Sequence, residues 1–215
     1  MRNLIIYGGT FDPIHNGHIK TALKVQKHFN FDCFIFLPCK IPVLKNQALA
    51  TAAQRVEMLE LALAPFAKKG NFKIDLSEVN RESPSYMVDS LEQFRKQLGN
   101  KTAITLLMGR DTFNQLPSWY HWLKLLTLAN ILVINRAGYS ERPDSEQLNY
   151  LIETHKTCDE SALTKQSHGL IYSYDAGIYD VSSSWIRQQI NKNENLQGYL
   201  ADSVLDYIRQ NHLYS

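Results

Sequence analysis

Cysteine is scarce in this 215-residue chain, and the spacing of its few cysteines excludes two kinds of site. Three cysteines are an odd number, and no two of them form a CxxC pair. We therefore expect neither a disulfide framework nor a zinc site built on cysteines. Reduced thiols are typical of cytoplasmic proteins, and we expect a cytoplasmic location. The cysteines are Cys33, Cys39 and Cys158.

Long apolar runs and an excess of charge are also lacking. No uninterrupted apolar segment reaches the about 18 residues of a membrane-spanning helix, and the first residues do not resemble a signal peptide. The 23 Lys and Arg residues nearly balance 21 Asp and Glu residues, for a formal net charge of +2. No basic stripe suggests nucleic-acid binding. We expect no membrane partner, no nucleic-acid partner, and a monomer or weak homo-oligomer.

Short apolar runs alternate with segments of helical periodicity. Strands are predicted at 4–7, 33–37, 72–74, 103–108, 131–134 and 170–172. Helices are predicted at 17–29, 52–64, 85–98, 119–126, 145–155, 182–190 and 203–211. This alternation predicts an α/β fold, a Rossmann-like doubly wound parallel sheet with helices on both faces. We expect a single domain over residues 1–215, in which 182–215 form a small C-terminal helical part.

The segment GGTFDPIHNGH, residues 8–18, joins the first strand to the first helix. Its glycines allow a ligand to approach the backbone N–H groups, and ligands of such sheets bind at strand ends. His15 and His18 are three residues apart, which places both imidazoles on one side of a helix N-terminus. There they can stabilise the negative charge that develops in phosphoryl or nucleotidyl transfer. No metal site is expected, because no third ligand lies at metal-binding spacing, and GK[ST] of a P-loop is lacking.

The whole of this segment resembles the signature of the HxGH nucleotidylyltransferases. Further segments resemble those of the bacterial nicotinate-nucleotide adenylyltransferases, in the same order along nearly the whole chain. They are SPSYM (83–87), MGRD (108–111), LPSWY (116–120), RAGY (136–139) and VSSSWIR (181–187).

This resemblance implies a reaction in which AMP passes from ATP to nicotinate mononucleotide, in NAD biosynthesis, with Mg²⁺ accompanying the ATP. The implied catalytic residues are His15, His18, Lys45 and Arg187. The implied ATP-binding residues are Gly8, Gly9, Thr10, Phe11, His18, Asp111, Ser182, Ser183, Ser184 and Arg187. The implied nicotinate-nucleotide-binding residues are Thr10, His15, Lys45, Ser85, Tyr86, Met87, Trp119, Tyr120 and Arg136.

Several of these residues also have an ordinary structural interpretation. The serines at 182–184 and Asp111 suit helix N-caps as well as ligands. Asp12 is expected to brace its own turn as a local acceptor. It is not expected to act as a base, because the attacking phosphate oxygen is already ionised at neutral pH.

The chain departs from the family pattern at two positions. Where the family reads PPHK or PPHR, this chain reads PVLK at 42–45, so that Leu44 replaces a histidine and Lys45 keeps the charge. Met87 replaces the threonine of the family's PSYT segment. Three alternatives stay open: a sister transferase acting on nicotinamide mononucleotide, phosphopantetheine or glycerol phosphate, a nucleotide sensor without catalysis, and a nucleic-acid-binding module. The PSWY segment favours a pyridine nucleotide.

Overall fold

Strands from the whole length of the chain form one parallel sheet in the part of the protein that the structure describes. The computed structural model describes residues 1–42, 47–67, 71–135, 143, 145–177 and 179–215. The strands are Asn3–Gly9 (β1), Cys33–Pro38 (β2), Phe72–Ile74 (β3), Ala103–Gly109 (β4), Asn130–Ile134 (β5) and Ile171–Tyr174 (β6). Each pairs in parallel with its neighbours, in the order β3-β2-β1-β4-β5-β6.

The central strands are mainly apolar because both of their faces are covered. Every residue of β5 is buried, and β4 is buried from Ala103 to Met108. In β1, Ile5 belongs to the core on one side of the sheet, whereas Leu4 and Ile6 belong to the core on the other. Strands buried on both faces lack the polar alternation of one-sided sheets, and this is why short apolar runs predict them here.

Helices cover the two faces in separate groups. The helices are Asn16–Phe29 (α1), Ala52–Leu63 (α2), Met87–Leu98 (α3), Arg110–Asn114 (α4), Leu125–Leu128 (α5), Glu146–His155 (α6), Ala162–Lys165 (α7), Ser183–Asn191 (α8) and Asp202–Gln210 (α9). Helices α1, α2, α8 and α9 pack on the Ile5 side, and α3, α5 and α6 pack on the other. The predicted doubly wound α/β fold is confirmed. None of the described helices is long and apolar enough to cross a membrane.

One predicted helix was wrong in its position. The segment 119–126 is not one helix: Trp119 is extended, and His121 adopts a left-handed conformation with φ of 47°. A 3₁₀ turn over Trp122–Lys124 then leads into α5. The short helices α4 and α7 and the 3₁₀ turns Ala64–Phe66 and Leu116–Ser118 were missed, because each is too short to show helical periodicity.

The strand order reverses at the pair of β1 and β4. From β1 the chain moves outward through β2 to β3 and then returns to pair β4 with the other side of β1. The carboxyl ends of β1 and β4, at Gly9 and Gly109, therefore flank the topological switch point, where ligands of such sheets bind. The segment predicted to bind phosphate begins at this point.

Candidate active site

The loop that follows β1 folds back over Gly9, the last residue of that strand. Phe11 is buried and has a φ of 51°, in the left-handed region that side chains other than glycine rarely adopt. Its ring lies over Gly9, where a Cβ atom would come within 2.9 Å of the ring carbon Cζ. Gly9 is therefore required by close packing within the loop.

His15 and His18 lie together at the start of α1. His15 is the N-cap residue, and its backbone N–H donates to Nδ1 of His18 at 3.3 Å. The two imidazoles are stacked, with ring centroids 3.7 Å apart. The predicted placement of both rings on one side is confirmed. Because Nδ1 of His18 accepts a hydrogen bond, a neutral ring carries its proton on Nε2, which makes Nε2 a donor.

Asp12 is the centre of a network that joins four parts of the chain. Its side chain is only 4% exposed. Oδ2 accepts from the N–H of Leu49 at 2.9 Å, and Oδ1 accepts from the N–H of Ala50 at 3.1 Å and from the hydroxyl of Tyr214 at 2.7 Å. Arg187 Nη1 lies 3.7 Å from Oδ2. We call these five residues the Asp12 network.

The predicted local role of Asp12 was wrong. Its acceptor oxygens serve the segment before α2 and the end of the chain, not its own turn. A buried carboxylate is stable only when its oxygens are hydrogen-bonded, and the turn after β1 is too short to supply enough donors. The donors therefore come from residues far away in sequence.

Arg187 and the preceding serines are brought to the same loop. Arg187 Nη1 donates to the backbone oxygen of Asp12 at 2.6 Å, and the Ser183 hydroxyl donates to the backbone oxygen of Pro13 at 2.9 Å. The Ser182 hydroxyl caps α8 by accepting from the N–H of Trp185, and it lies 3.1 Å from Ser184 Oγ. The N-cap interpretation is thus confirmed for Ser182. These contacts hold α8 against the loop between β1 and α1, which we call the histidine loop.

A second cation, which is fully buried, supports the same loop. Arg55, in α2, is 1% exposed and donates to the backbone oxygens of three residues. These bonds reach Thr10 at 2.6 Å, Lys40 at 3.2 Å and Ala50 at 3.3 Å. The guanidinium group thereby joins the ends of β1 and β2 and the start of α2.

The end of β4 contributes Gly109, Arg110 and Asp111. Asp111 lies in the first turn of α4 behind the N-cap Gly109, so the N-cap interpretation of Asp111 was wrong. Its Oδ1 atom would lie 2.5 Å from a Cβ at Gly109, so a larger residue there would displace the Asp111 carboxylate. Arg110 is buried and donates to Asn135 Oδ1 at 2.9 Å and to Ser173 Oγ at 3.1 Å, which connects β4 to the segments after β5 and in β6.

The two segments predicted to bind the nicotinate nucleotide meet through their tyrosines. The rings of Tyr86 and Tyr120 lie 4.5 Å apart, between the start of α3 and the loop before α5. Ser85 Oγ accepts from the N–H of Lys40 at 3.2 Å, which holds this segment to the end of β2. The Met87 methyl group packs so closely on Gly8 that a Cβ there would lie 2.6 Å from it. Met87 therefore borders the end of β1.

Two predicted site residues cannot be placed. Lys45 and Arg136, and with them the replacement at Leu44, lie outside the described residues. Their assigned roles stay predictions.

Three residues that support the site were missed: Arg55, Glu78 and Tyr214. Arg55 shares the helical spacing of the buried Leu59 and Ala62, and this pattern could have identified a buried arginine. Glu78 is 2% exposed, accepts from the Ser90 hydroxyl at 2.5 Å, and lies behind the Ser85–Met87 segment. Burial raises the pKa of the Glu78 carboxyl, although Ser90 and Arg81 act in the opposite direction. No local pattern marks Tyr214, because its partner Asp12 lies 202 residues away. Glu78 lies between β3 and α3 and outside any helix or strand, so no periodicity marks it as buried.

Known proteins resemble this chain along its whole length. The cytidylyltransferase-like family matches residues 6–189. A Legionella pneumophila (strain Lens) protein named "Probable nicotinate-nucleotide adenylyltransferase" is 44% identical over 214 residues, which are 100% of each chain. A Yersinia pestis (strain Pestoides F) protein of the same name is 36% identical over 211 residues, 97% of this chain and 94% of that one.

A solved structure shares the fold. It is the Plasmodium falciparum nicotinic acid mononucleotide adenylyltransferase complexed with NaAD, which matches with a TM-score of 0.71. The match covers 100% of this chain and 98% of the other, at 21% sequence identity. The sequence matches and the shared fold lead to one assignment. The chain belongs to the cytidylyltransferase-like family and, within it, to the nicotinate-nucleotide adenylyltransferases.

Proposed function

We propose that this protein transfers the adenylyl group of ATP to nicotinate mononucleotide and releases pyrophosphate. The products are then nicotinate adenine dinucleotide and pyrophosphate. The observation that carries this proposal is the stacked pair of His15 and His18 at the start of α1, with Arg187 held on the same loop. Such a set of donors suits a phosphate-transfer step, and the names of the relatives identify the acceptor.

The chemistry requires positioning and charge stabilisation, and no enzyme nucleophile. A phosphate oxygen of the mononucleotide attacks the α-phosphorus of ATP in line, the bond from the α-phosphorus to the bridging oxygen breaks, and pyrophosphate leaves with the electron pair. The attacking oxygen is already ionised at neutral pH, so no general base is needed. Nε2 of His18 and the guanidinium of Arg187 would donate to phosphate oxygens as negative charge grows on them.

The two substrates would lie on either side of the switch point. On the ATP side we place the backbone of residues 8–11, the start of α8 and the Asp111 carboxylate, which suits ribose hydroxyls. On the acceptor side we place the Ser85–Met87 segment with Trp119 and Tyr120, whose rings suit a pyridine. The contact between Tyr86 and Tyr120 supports this division, because it brings two segments distant in sequence to one surface.

Mg²⁺ would enter with ATP as part of that substrate. Asp12 is the carboxylate of the histidine loop itself, but its two oxygens already accept three hydrogen bonds and face Arg187. The residues near the loop therefore suit an ion held chiefly by phosphate oxygens and water, the usual mode of Mg²⁺ binding. There it would neutralise phosphate charge.

The test is a coupled pyrophosphate assay with purified protein, MgATP and nicotinate mononucleotide. We expect pyrophosphate and nicotinate adenine dinucleotide in equal amounts, with none when the mononucleotide is omitted. Parallel reactions with nicotinamide mononucleotide, phosphopantetheine and glycerol phosphate separate the sister transferases. Tight binding of MgATP without pyrophosphate from any acceptor would instead indicate a nucleotide sensor.

A further inference from the structure

The C-terminal segment reaches into the loop that carries the two histidines. Tyr214 lies four residues beyond the end of α9 and is 8% exposed. Its hydroxyl donates to Asp12 Oδ1 at 2.7 Å, across 202 residues of sequence. This buried hydrogen bond joins the Tyr214 hydroxyl to a carboxylate, so Tyr214 contributes more to the fold than the packing of its ring.

Asp12 has two groups that compete for its negative charge. Tyr214 binds Oδ1, while Arg187 Nη1 lies 3.7 Å from Oδ2, beyond the distance of a hydrogen bond. The same Nη1 atom instead donates to the Asp12 backbone oxygen at 2.6 Å. The guanidinium group is thus held beside the carboxylate without a direct hydrogen bond to it, and the Arg187 side chain stays 26% exposed.

The tyrosine is well suited to this position. A tyrosine hydroxyl is protonated at neutral pH, and burial, together with the neighbouring Asp12 carboxylate, raises the pKa of the Tyr214 hydroxyl further. Oδ1 therefore has a permanent donor. Without that donor, the described residues would leave the carboxylate with two backbone N–H donors, and Arg187 is the nearest cation among them that could replace the lost one.

We propose that Tyr214 is a positioning residue for ATP binding: by satisfying Asp12, it prevents the carboxylate from drawing Arg187 into a direct ion pair. The inference rests on the proposed function in one respect, namely that Arg187 binds ATP phosphate. It adds a residue from the C-terminal segment to the determinants of nucleotide affinity, and it gives that residue a mechanism that acts through Asp12 and Arg187.

The first variant is Tyr214→Phe, which removes one oxygen and keeps the buried ring. We expect the Kd for MgATP and its KM to rise about tenfold, the loss expected for a hydrogen bond to a charged group. The KM for nicotinate mononucleotide should change less than about twofold. The matched control is Tyr207→Phe, which removes a hydroxyl from α9 of the same segment and should leave both KM values within about twofold of wild type.

A double-mutant cycle separates positioning from general destabilisation. In an Arg187→Gln background, Tyr214→Phe should raise the Kd for MgATP less than about twofold, because the group through which it acts is gone. A purely structural tyrosine would show the same effect in both backgrounds. Equal effects in both backgrounds, or an unchanged Kd in the single variant, would overturn the proposal.

The binding measurement also distinguishes this inference from the proposed function. Titration calorimetry with the Mg²⁺ complex of α,β-methylene-ATP, which cannot be cleaved between the α- and β-phosphorus atoms, needs no turnover. If wild type releases no pyrophosphate but Tyr214→Phe weakens binding of this analogue about tenfold, the proposed reaction fails and the positioning role stands. If wild type releases pyrophosphate and Tyr214→Phe binds the analogue as wild type does, the reaction stands and the positioning role fails. Failure of wild type to bind the analogue, together with no pyrophosphate release from MgATP, would overturn both.

Discussion

The backbone N–H of His15 donates to Nδ1 of His18, and the two rings stack at 3.7 Å. This one relationship determines the tautomer of a neutral His18 and therefore which nitrogen can donate to a substrate. The rings of Tyr7 and Phe11 pack in T-shaped arrangements with the His18 ring, with centroids 5.9 and 5.2 Å away. The orientation of His18 is set before substrate binds, which is the condition for effective stabilisation of a transition state.

We expect His18→Ala to lower kcat about 10²- to 10³-fold and to change the KM for MgATP much less. Loss of one preorganised donor typically costs this much in rate, because the donor matters most when charge develops in the transition state. Steady-state pyrophosphate release measures both constants. His28→Ala is the control in the same helix. His28 lies at the other end of α1 from the histidine loop, and its Nε2 atom is 2.7 Å from Glu160 Oε2. Turnover of His18→Ala within a few-fold of wild type would mean that His18 is structural.

Arg55→Met should lower the free energy of unfolding by about 3 kcal/mol. The substitution keeps most of the side-chain volume but leaves the backbone oxygens of Thr10, Lys40 and Ala50 without their donor, and unsatisfied buried polar groups each cost about 1–3 kcal/mol. Urea unfolding measures the change. Arg209→Met, at a side chain that is 69% exposed in α9, should change stability by less than about 0.5 kcal/mol. Equal effects of the two substitutions would contradict a supporting role for Arg55.

Local sequence patterns predicted most strands of the sheet. They did not predict contacts between residues that are distant in sequence. The runs at β1, β4 and β5 are mainly apolar because the sheet is covered on both faces, so the sequence indicates them directly. The spacing of His15 and His18 likewise predicts their proximity, because both belong to one helix start.

The Asp12 network could not be predicted in this way. Its partners lie 37, 38 and 202 residues away, and nothing in the turn itself indicates which donors fold back onto it. The helix prediction over 119–126 was wrong for another reason. The apolar periodicity is present in the sequence, but His121 adopts a left-handed conformation that prevents one continuous helix. The periodicity of a short segment does not indicate such a conformation.

Glu78→Gln should stabilise the protein relative to wild type increasingly as pH rises from about 4 to 7. Burial raises the pKa of Glu78 in the folded state, so the folded protein holds this proton more tightly than the unfolded chain. Below the ordinary pKa both states are protonated, and Glu78 imposes no penalty. As pH rises through that value and then through the raised value, the unfolded chain loses its proton first and stability falls.

Urea unfolding of wild type and Glu78→Gln at a series of pH values measures this difference. Glu92→Gln, at a half-exposed carboxylate in α3, the helix whose Ser90 donates to Glu78, is the control and should differ from wild type by no more than about 0.5 kcal/mol throughout. A difference between Glu78→Gln and wild type that stays constant or shrinks with rising pH would contradict a raised pKa at Glu78.

We expect the protein to prefer nicotinate mononucleotide to nicotinamide mononucleotide, although Met87 replaces the family's threonine. The first N–H groups of α3 have no acceptor within the helix, and they belong to the segment that we place beside the pyridine ring. Backbone donors do not depend on the Met87 side chain. Two hydrogen bonds to a carboxylate at about 1.5–3 kcal/mol each imply a preference of about 10²-fold or more, since a carboxamide accepts less strongly.

The ratio of kcat/KM for the two mononucleotides at saturating MgATP measures this preference. Met87→Thr should keep its direction and change the ratio by less than about tenfold, because the Met87 methyl group packs on Gly8 and restricts space without supplying a donor. A ratio near one in wild type, or a preference for the amide, would mean that the backbone donors of α3 do not set the preference. If Met87→Thr then restored the preference for the carboxylate, the side chain at position 87, and not the backbone, would determine the choice of substrate.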